Sequence, residues 1–156
     1  MSARREAPRH QSRRAALQVL YAVDLASGSC AGPPPSADEV FDGVAAHFDL
    51  HGGAHDFARQ LAKGVEAHRA EIDARIAACA RNWRLERMAA VDRNVLRLAS
   101  YELLHTETPY TVVIDEAVEL AREFGSEPSP AFVNGVLDAV ARAVREDRES
   151  GGGPAA

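Results

Sequence analysis

The sequence predicts an all-α protein of about seven helices. Apolar residues recur at intervals of three and four along almost the whole chain. The interruptions are short and rich in glycine and proline, as connections between helices are. Only residues 111–114, Thr-Val-Val-Ile, read as a strand, and a single strand cannot make a sheet. No internal repeat is present.

The first helix is expected over about residues 8–27. Ala16, Val19, Leu20 and Val23 line one face, and Leu17 and Tyr21 widen it. Gly32-Pro33-Pro34-Pro35 cannot continue it and reads as an exposed linker. Ser36-Ala37-Asp38-Glu39 has the spacing of a capping box. Val40, Phe41, Val44, Ala45 and Phe48 then form an apolar stripe that Gly52-Gly53 is expected to stop. Phe57, Leu61, Val65, Ile72, Ile76 and Cys79 mark one long helix, or two broken near His68. Asn82-Trp83-Arg84 reads as a connection. The next helix covers about residues 88–105, with Val91, Val95, Leu96, Ala99 and Leu103 inward. Beyond Pro109, the period continues through Val113, Ala117 and Phe124 to Gly125, placed where a C′ glycine belongs. Ser129-Pro130 reads as an N-cap followed by proline at N1, opening a last helix through Val133, Leu137, Val140 and Val144. Gly135 inside it costs about 1 kcal/mol relative to alanine, a cost usually accepted for close approach of a helix or ligand. Three segments are expected: a flexible basic arm at 1–8, one helical domain at 9–147, and a disordered tail at 148–156.

The composition is 46% hydrophobic and 26% charged over 156 residues, ordinary for one globular domain. No run approaches the ~20 apolar residues of a membrane helix, and no apolar segment follows the charged N-terminus as a signal peptide requires. These features point to the cytoplasm. Cys30 and Cys79 form no CxxC pair and read as reduced thiols, Cys79 as a small core residue.

The net charge of −5 is unevenly spread. Residues 1–14 carry Arg4, Arg5, Arg9, Arg13 and Arg14 against Glu6, a local balance of +4 that leaves −9 for the remainder. A basic arm on an acidic body is a footprint of nucleic-acid contact. On a helix Arg9 and Arg13 are i, i+4 neighbours, as are His10 and Arg14, and guanidinium forks suit phosphate oxygens. Phe132, one step off the Val133/Val136/Val140 stripe, is either a stacking ring for an unpaired base or a core residue.

Catalytic signals are weak. His47, His51 and His55 share a spacing of four, but Gly52-Gly53 interrupts any common helix, so no metal site is expected. Glu119 and Glu123 read as a solvated acidic face. There is no phosphate-binding glycine loop and no nucleophile elbow. No enzyme and no cofactor is expected.

Four blocks, in order, resemble the NusB family: Arg13-Arg14 through Tyr21, Val91-Asp92-Arg93 through Leu104, Val112 through Ala121, and Phe132-Val133-Asn134-Gly135-Val136-Leu137. The resemblance implies a compact helical fold and a transcription antitermination role supporting ribosomal RNA operon transcription and maturation. It implies boxA RNA and the ribosomal protein NusE as partners, with RNA polymerase and other Nus factors reached indirectly. It assigns RNA contact to Arg5, Arg9, His10, Arg13, Arg14, Ser129 and Phe132, and NusE contact to Tyr21, Glu86, Asp92 and Arg93. Pro128-Ser129 and Ala131 depart from the family's usual residues beside the signature. The alternative is a NusB-like interaction module, or a fragment related to the N-terminal domain of ribosomal RNA cytosine methyltransferases.

Overall fold

The computed structural model describes residues 2–28 and 32–151, with side chains from residue 8 onward. Cys30 and the side chain of Arg5 lie outside the described residues. Among those described there are seven α-helices and one short 3₁₀ turn, and no strand. The helices are α1 (Ser2–Ser27), α2 (Ala37–Ala45), α3 (Gly53–Ala67), α4 (Arg69–Cys79), α5 (Ala90–His105), α6 (Tyr110–Phe124) and α7 (Ser129–Ser150), with the 3₁₀ turn at Leu85–Arg87. The sequence suggested one domain over 9–147. The helices group into two compact units, divided between Arg69 and Ala70.

In the first unit α1, α2 and α3 pack on one another. Ala54, Ala58 and Ala62 put small side chains on one stripe of α3, and Ser12, Ala15 and Ala16 do the same on α1; all six are buried. Small residues let the two backbones approach. Ser12 uses that closeness: its hydroxyl lies 2.7 Å from Ala54 O and 3.0 Å from Pro8 O. Leu17, Phe41 and Leu61 fill the rest of this core, each contributing roughly 1.5–3 kcal/mol by leaving water. The capping box is formed: Ser36 Oγ accepts from Glu39 N–H, and Ser36 N–H donates back to Glu39. Arg59 of α3 bonds both Asp38 and Asp42 of α2, at 3.2 and 3.1 Å.

In the second unit α5, α6 and α7 pack on one another. Leu96, Leu98, Leu120, Val133 and Leu137 are almost wholly removed from solvent. The Arg97 guanidinium grips Asp73 of α4 in a bidentate fork, Nε to Oδ1 at 2.8 Å and Nη2 to Oδ2 at 3.1 Å.

Several boundaries differ from expectation. Helix α1 begins at Ser2 and carries Pro8 inside it. Helix α2 stops at Ala45, before Gly52-Gly53; Gly52 takes φ +58° and Gly53 starts α3. The break at His68 is present, between α3 and α4. Residues 111–114 belong to α6. Helix α7 runs to Ser150 although a disordered tail was expected from 148. Its end is tied down: Asp147 pairs with Arg75 at 2.5 Å, and Arg148 Nη2 donates to Leu103 O at 3.0 Å.

Two glycines also differ. Gly125 follows α6 with φ −93°, outside the left-handed region. It is required for space, because a Cβ there would sit 2.6 Å from Ser129 Oγ and 2.7 Å from Ala121 O. Gly135 is exposed, and a Cβ there would meet nothing within 4 Å. No neighbouring helix explains it. Opposite outcomes follow for one chemical change. Gly125→Ala is expected to destabilise by about 1–3 kcal/mol through overpacking. Gly135→Ala is expected to stabilise by about 0.5–1 kcal/mol by restricting the unfolded chain. Thermal unfolding of both variants checks this; equal shifts would contradict it.

Candidate nucleic-acid and partner interface

The sequence nominates residues from both units, and each unit presents its own set. On the first, α1 carries Arg9, His10, Arg13 and Arg14. The i, i+4 pair Arg9 and Arg13 converges on one ring: their guanidinium carbons lie 5.1 and 5.6 Å from the Phe57 centroid. Their fates differ. Arg9 is exposed, while Arg13 is only 2% exposed. The guanidinium of Arg13, which the resemblance assigns to RNA, is enclosed against Phe57 of α3. Arg14 is half-buried, 5.6 Å from the Phe48 centroid, and its Nη1 donates to Gln11 Oε1 at 2.9 Å. His10 is half-buried. Tyr21 lies two turns beyond Arg14 along α1, in a groove between α1 and α2 of about 930 Å³ that Arg14, Leu25, Val44 and Phe48 also line.

On the second unit, Ser129 and Phe132 open α7. Ser129 is 1% exposed; its hydroxyl accepts from Ser126 N–H at 3.0 Å and lies 3.1 Å from Ser126 Oγ. It is the first residue of α7 rather than its N-cap, which is Pro128 without a side-chain cap. Its hydroxyl, which the resemblance assigns to RNA, is bonded within the α6–α7 connection. Phe132 is half-buried and meets Trp83 edge to face, centroids 5.4 Å apart at 73°. Part of the Phe132 ring is packed against Trp83 and part is open to solvent.

Glu86 is exposed in the 3₁₀ turn, and Asp92 and Arg93 stand in the first turns of α5. Arg93 Nη1 donates to Leu85 O and Met88 O, both at 3.0 Å, so this cation braces the loop that carries Glu86. Asp92 Oδ1 is buried and accepts no hydrogen bond among the described residues; the positive N-terminal end of α5 offsets its charge.

The three histidines of equal spacing diverge. His51 pairs with Asp49 at 2.5 Å, and His55 stacks edge to face on Phe41 at 5.1 Å. Cys79 is half-buried rather than a core residue. Desolvation pushes its thiol above the usual range, against the opposing charges of Arg75 and Arg81. The residue that sequence reasoning passed over is Trp83, taken for part of a connection. The available signal was a lone tryptophan between arginines in a polar loop.

A family model described as the NusB family matches residues 10–142. The transcription antitermination protein NusB of Anaeromyxobacter dehalogenans is 47% identical over 134 residues, covering 85% of this chain and 89% of that protein. A solved structure of T. maritima NusB superposes with a TM-score of 0.77 at 33% identity, covering 86% of this chain and 90% of that one. A structure of antitermination factors NusB and NusE in complex with dsRNA gives 0.75 at 30% identity, covering 88% and 98%.

The raised thiol has a measurable consequence. With Cys30→Ser to leave one thiol, iodoacetamide is expected to label Cys79 more slowly at neutral pH than it labels a free cysteine. The rate should climb at higher pH than for that free thiol. Labelling at the free-thiol rate would show that burial does not protect it.

Proposed function

The chain belongs to the NusB family, and from that membership we propose that it is a transcription antitermination factor that binds boxA RNA together with the ribosomal protein NusE. In this reading it supports ribosomal RNA operon transcription and maturation, works in the cytoplasm, and catalyses nothing. The observation that carries the reading is 47% identity to a protein named for antitermination, over most of both chains. The related NusB–NusE structure with dsRNA supports both classes of partner. The relatives bear antitermination names, which favours this role over the methyltransferase-fragment alternative. Among the described residues no helix is long and apolar enough to cross a membrane.

The residue roles follow from exposure and charge. Arg9, His10 and Arg14 would meet phosphate, with Arg5 joining them on sequence grounds. Phe132 would offer its open edge or face to a base. Tyr21, Glu86 and Asp92 would face NusE, where acidic groups suit a basic ribosomal protein. Arg93 would act on that surface by holding the loop in place.

A gel-shift titration of boxA RNA against a scrambled RNA, with and without NusE, tests the reading. Selective binding that NusE strengthens is expected; equal weak binding to both RNAs, indifferent to NusE, would overturn it. The two arginines on Phe57 should separate in the same assay. Arg9→Ala is expected to flatten the slope of log affinity against log salt by roughly 0.7–0.9, the loss of one phosphate contact. Arg13→Ala is expected to lower the unfolding midpoint and leave that slope unchanged. A flattened slope from Arg13→Ala would return it to the RNA surface.

A further inference from the structure

We propose that Trp83 is a base-stacking residue, its indole paired with Phe132 to form a pre-set platform for unpaired nucleotides, with Arg81, Arg84 and Arg87 supplying phosphate contacts around it. The inference rests on the RNA-binding reading above and extends it to the loop before α5, from which that reading takes only Glu86, for NusE.

Trp83 is 58% exposed, although an indole is among the most favourable side chains to bury. It is nonetheless held. Phe132 packs against the indole edge to face, and the Trp83 backbone N–H donates to Ala80 O at 3.0 Å. The following residues are fastened as well: Arg87 N–H donates to Arg84 O at 3.0 Å, and Arg93 clamps Leu85 O and Met88 O. A ring fixed before binding loses little freedom when a base lands on it. One ring in edge-to-face contact can cover at most one face of the indole, and the exposure shows that much of the remainder meets water.

The surroundings select the ligand. Arg81, Asn82, Arg84 and Arg87 are all exposed, and over residues 81–87 only Glu86 opposes the three arginines. This local surplus sits on a chain whose net charge is −5. An apolar protein partner would call for further exposed apolar residues beside the indole. An aromatic ring among guanidinium groups is instead the combination that binds single-stranded nucleic acid, stacking on bases and neutralising phosphates. Stacking tolerates any base, so the platform would add affinity and favour unpaired over duplex RNA more than it would read sequence.

Trp83 is the single tryptophan of the chain, so its emission reports on this one position. The test titrates the intact chain, without NusE and at low salt, with fluorescein-labelled single-stranded boxA RNA. Anisotropy of the label follows binding, and indole emission follows stacking. The expected result is quenching of Trp83 that saturates along with the anisotropy. Trp83→Ala should weaken binding by roughly 5- to 100-fold, and Trp83→Phe, which keeps a ring, by distinctly less. Arg84→Ala with Arg87→Ala should flatten the salt dependence. Circular dichroism checks that the variants fold, and the wild-type emission decides the question should Trp83→Ala not fold. Binding with unchanged emission, or Trp83→Ala within roughly twofold of wild type, would overturn the platform and leave the RNA-binding reading standing. Loss of NusE binding with RNA affinity intact would also overturn it, making the patch a protein surface. No binding of single-stranded RNA by the wild-type chain would remove both this inference and the RNA-binding role beneath it.

Discussion

Ten consecutive residues of α5, positions 94–103, are buried. A helix enclosed all round is ordinarily apolar all round, yet this stretch includes Asn94, Arg97, Ser100 and Glu102. Each such group costs free energy unless it is bonded inside the fold. Asn94 Nδ2 therefore donates to Ala90 O at 2.8 Å, and Arg97 meets both oxygens of Asp73. The fork fixes α5 against α4, which no apolar contact alone would orient so tightly. Once α5 is fixed, its first turns are fixed, and with them Arg93. Arg93 in turn pins the loop carrying Glu86 and Trp83. The proposed binding surface of the second unit is thus set from the inside outward, by a partly buried charge pair and a chain of carbonyl contacts.

Much of the fold was legible because helices announce themselves through spacing. The capping box at Ser36, the break at His68 and the stop at Pro109 are local signals, and each stands in the structure. The misjudged boundaries have non-local causes. Nothing near residue 148 says that Arg148 reaches a carbonyl 45 positions earlier, or that Asp147 finds Arg75. Gly125 was identified as a helix terminator, but its reason is the crowding of Ser129 rather than backbone sign. Of the two readings of Gly135, approach of a helix or of a ligand, the helix is absent: a Cβ there meets nothing within 4 Å. Sequence names the residue at a special position more readily than it names the force acting there.

The candidate site divides the same way. Charge distribution and resemblance together singled out the arginines, yet spacing could not say which of them would be consumed by the fold. Arg9 and Arg13 occupy equivalent helical positions one turn apart and share one ring, but only the first remains open to solvent. What separates them is depth along α1, which passes from the exposed Pro8 into the alanine-lined contact with α3 within a turn. Trp83 was hidden for the converse reason: a loop residue gives no periodic signal, and its partner Phe132 lies 49 positions away.

Arginine paired with an aromatic ring recurs on this protein in two forms with different consequences. Where α3 covers Arg13, the guanidinium serves stability, since its attraction to Phe57 acts in a place water cannot screen. Around Trp83 the indole is largely exposed and the neighbouring Arg81, Arg84 and Arg87 are exposed too, so in the proposed platform the same chemistry is available for a ligand that brings both a flat base and a phosphate. Net charge and composition cannot distinguish the two, because they count the residues alike. Burial distinguishes them. For a chain with an overall negative charge, the useful quantity for nucleic-acid recognition is therefore the number of arginines whose charge the fold has left unspent, and on the second unit that surplus is concentrated around a fixed aromatic pair.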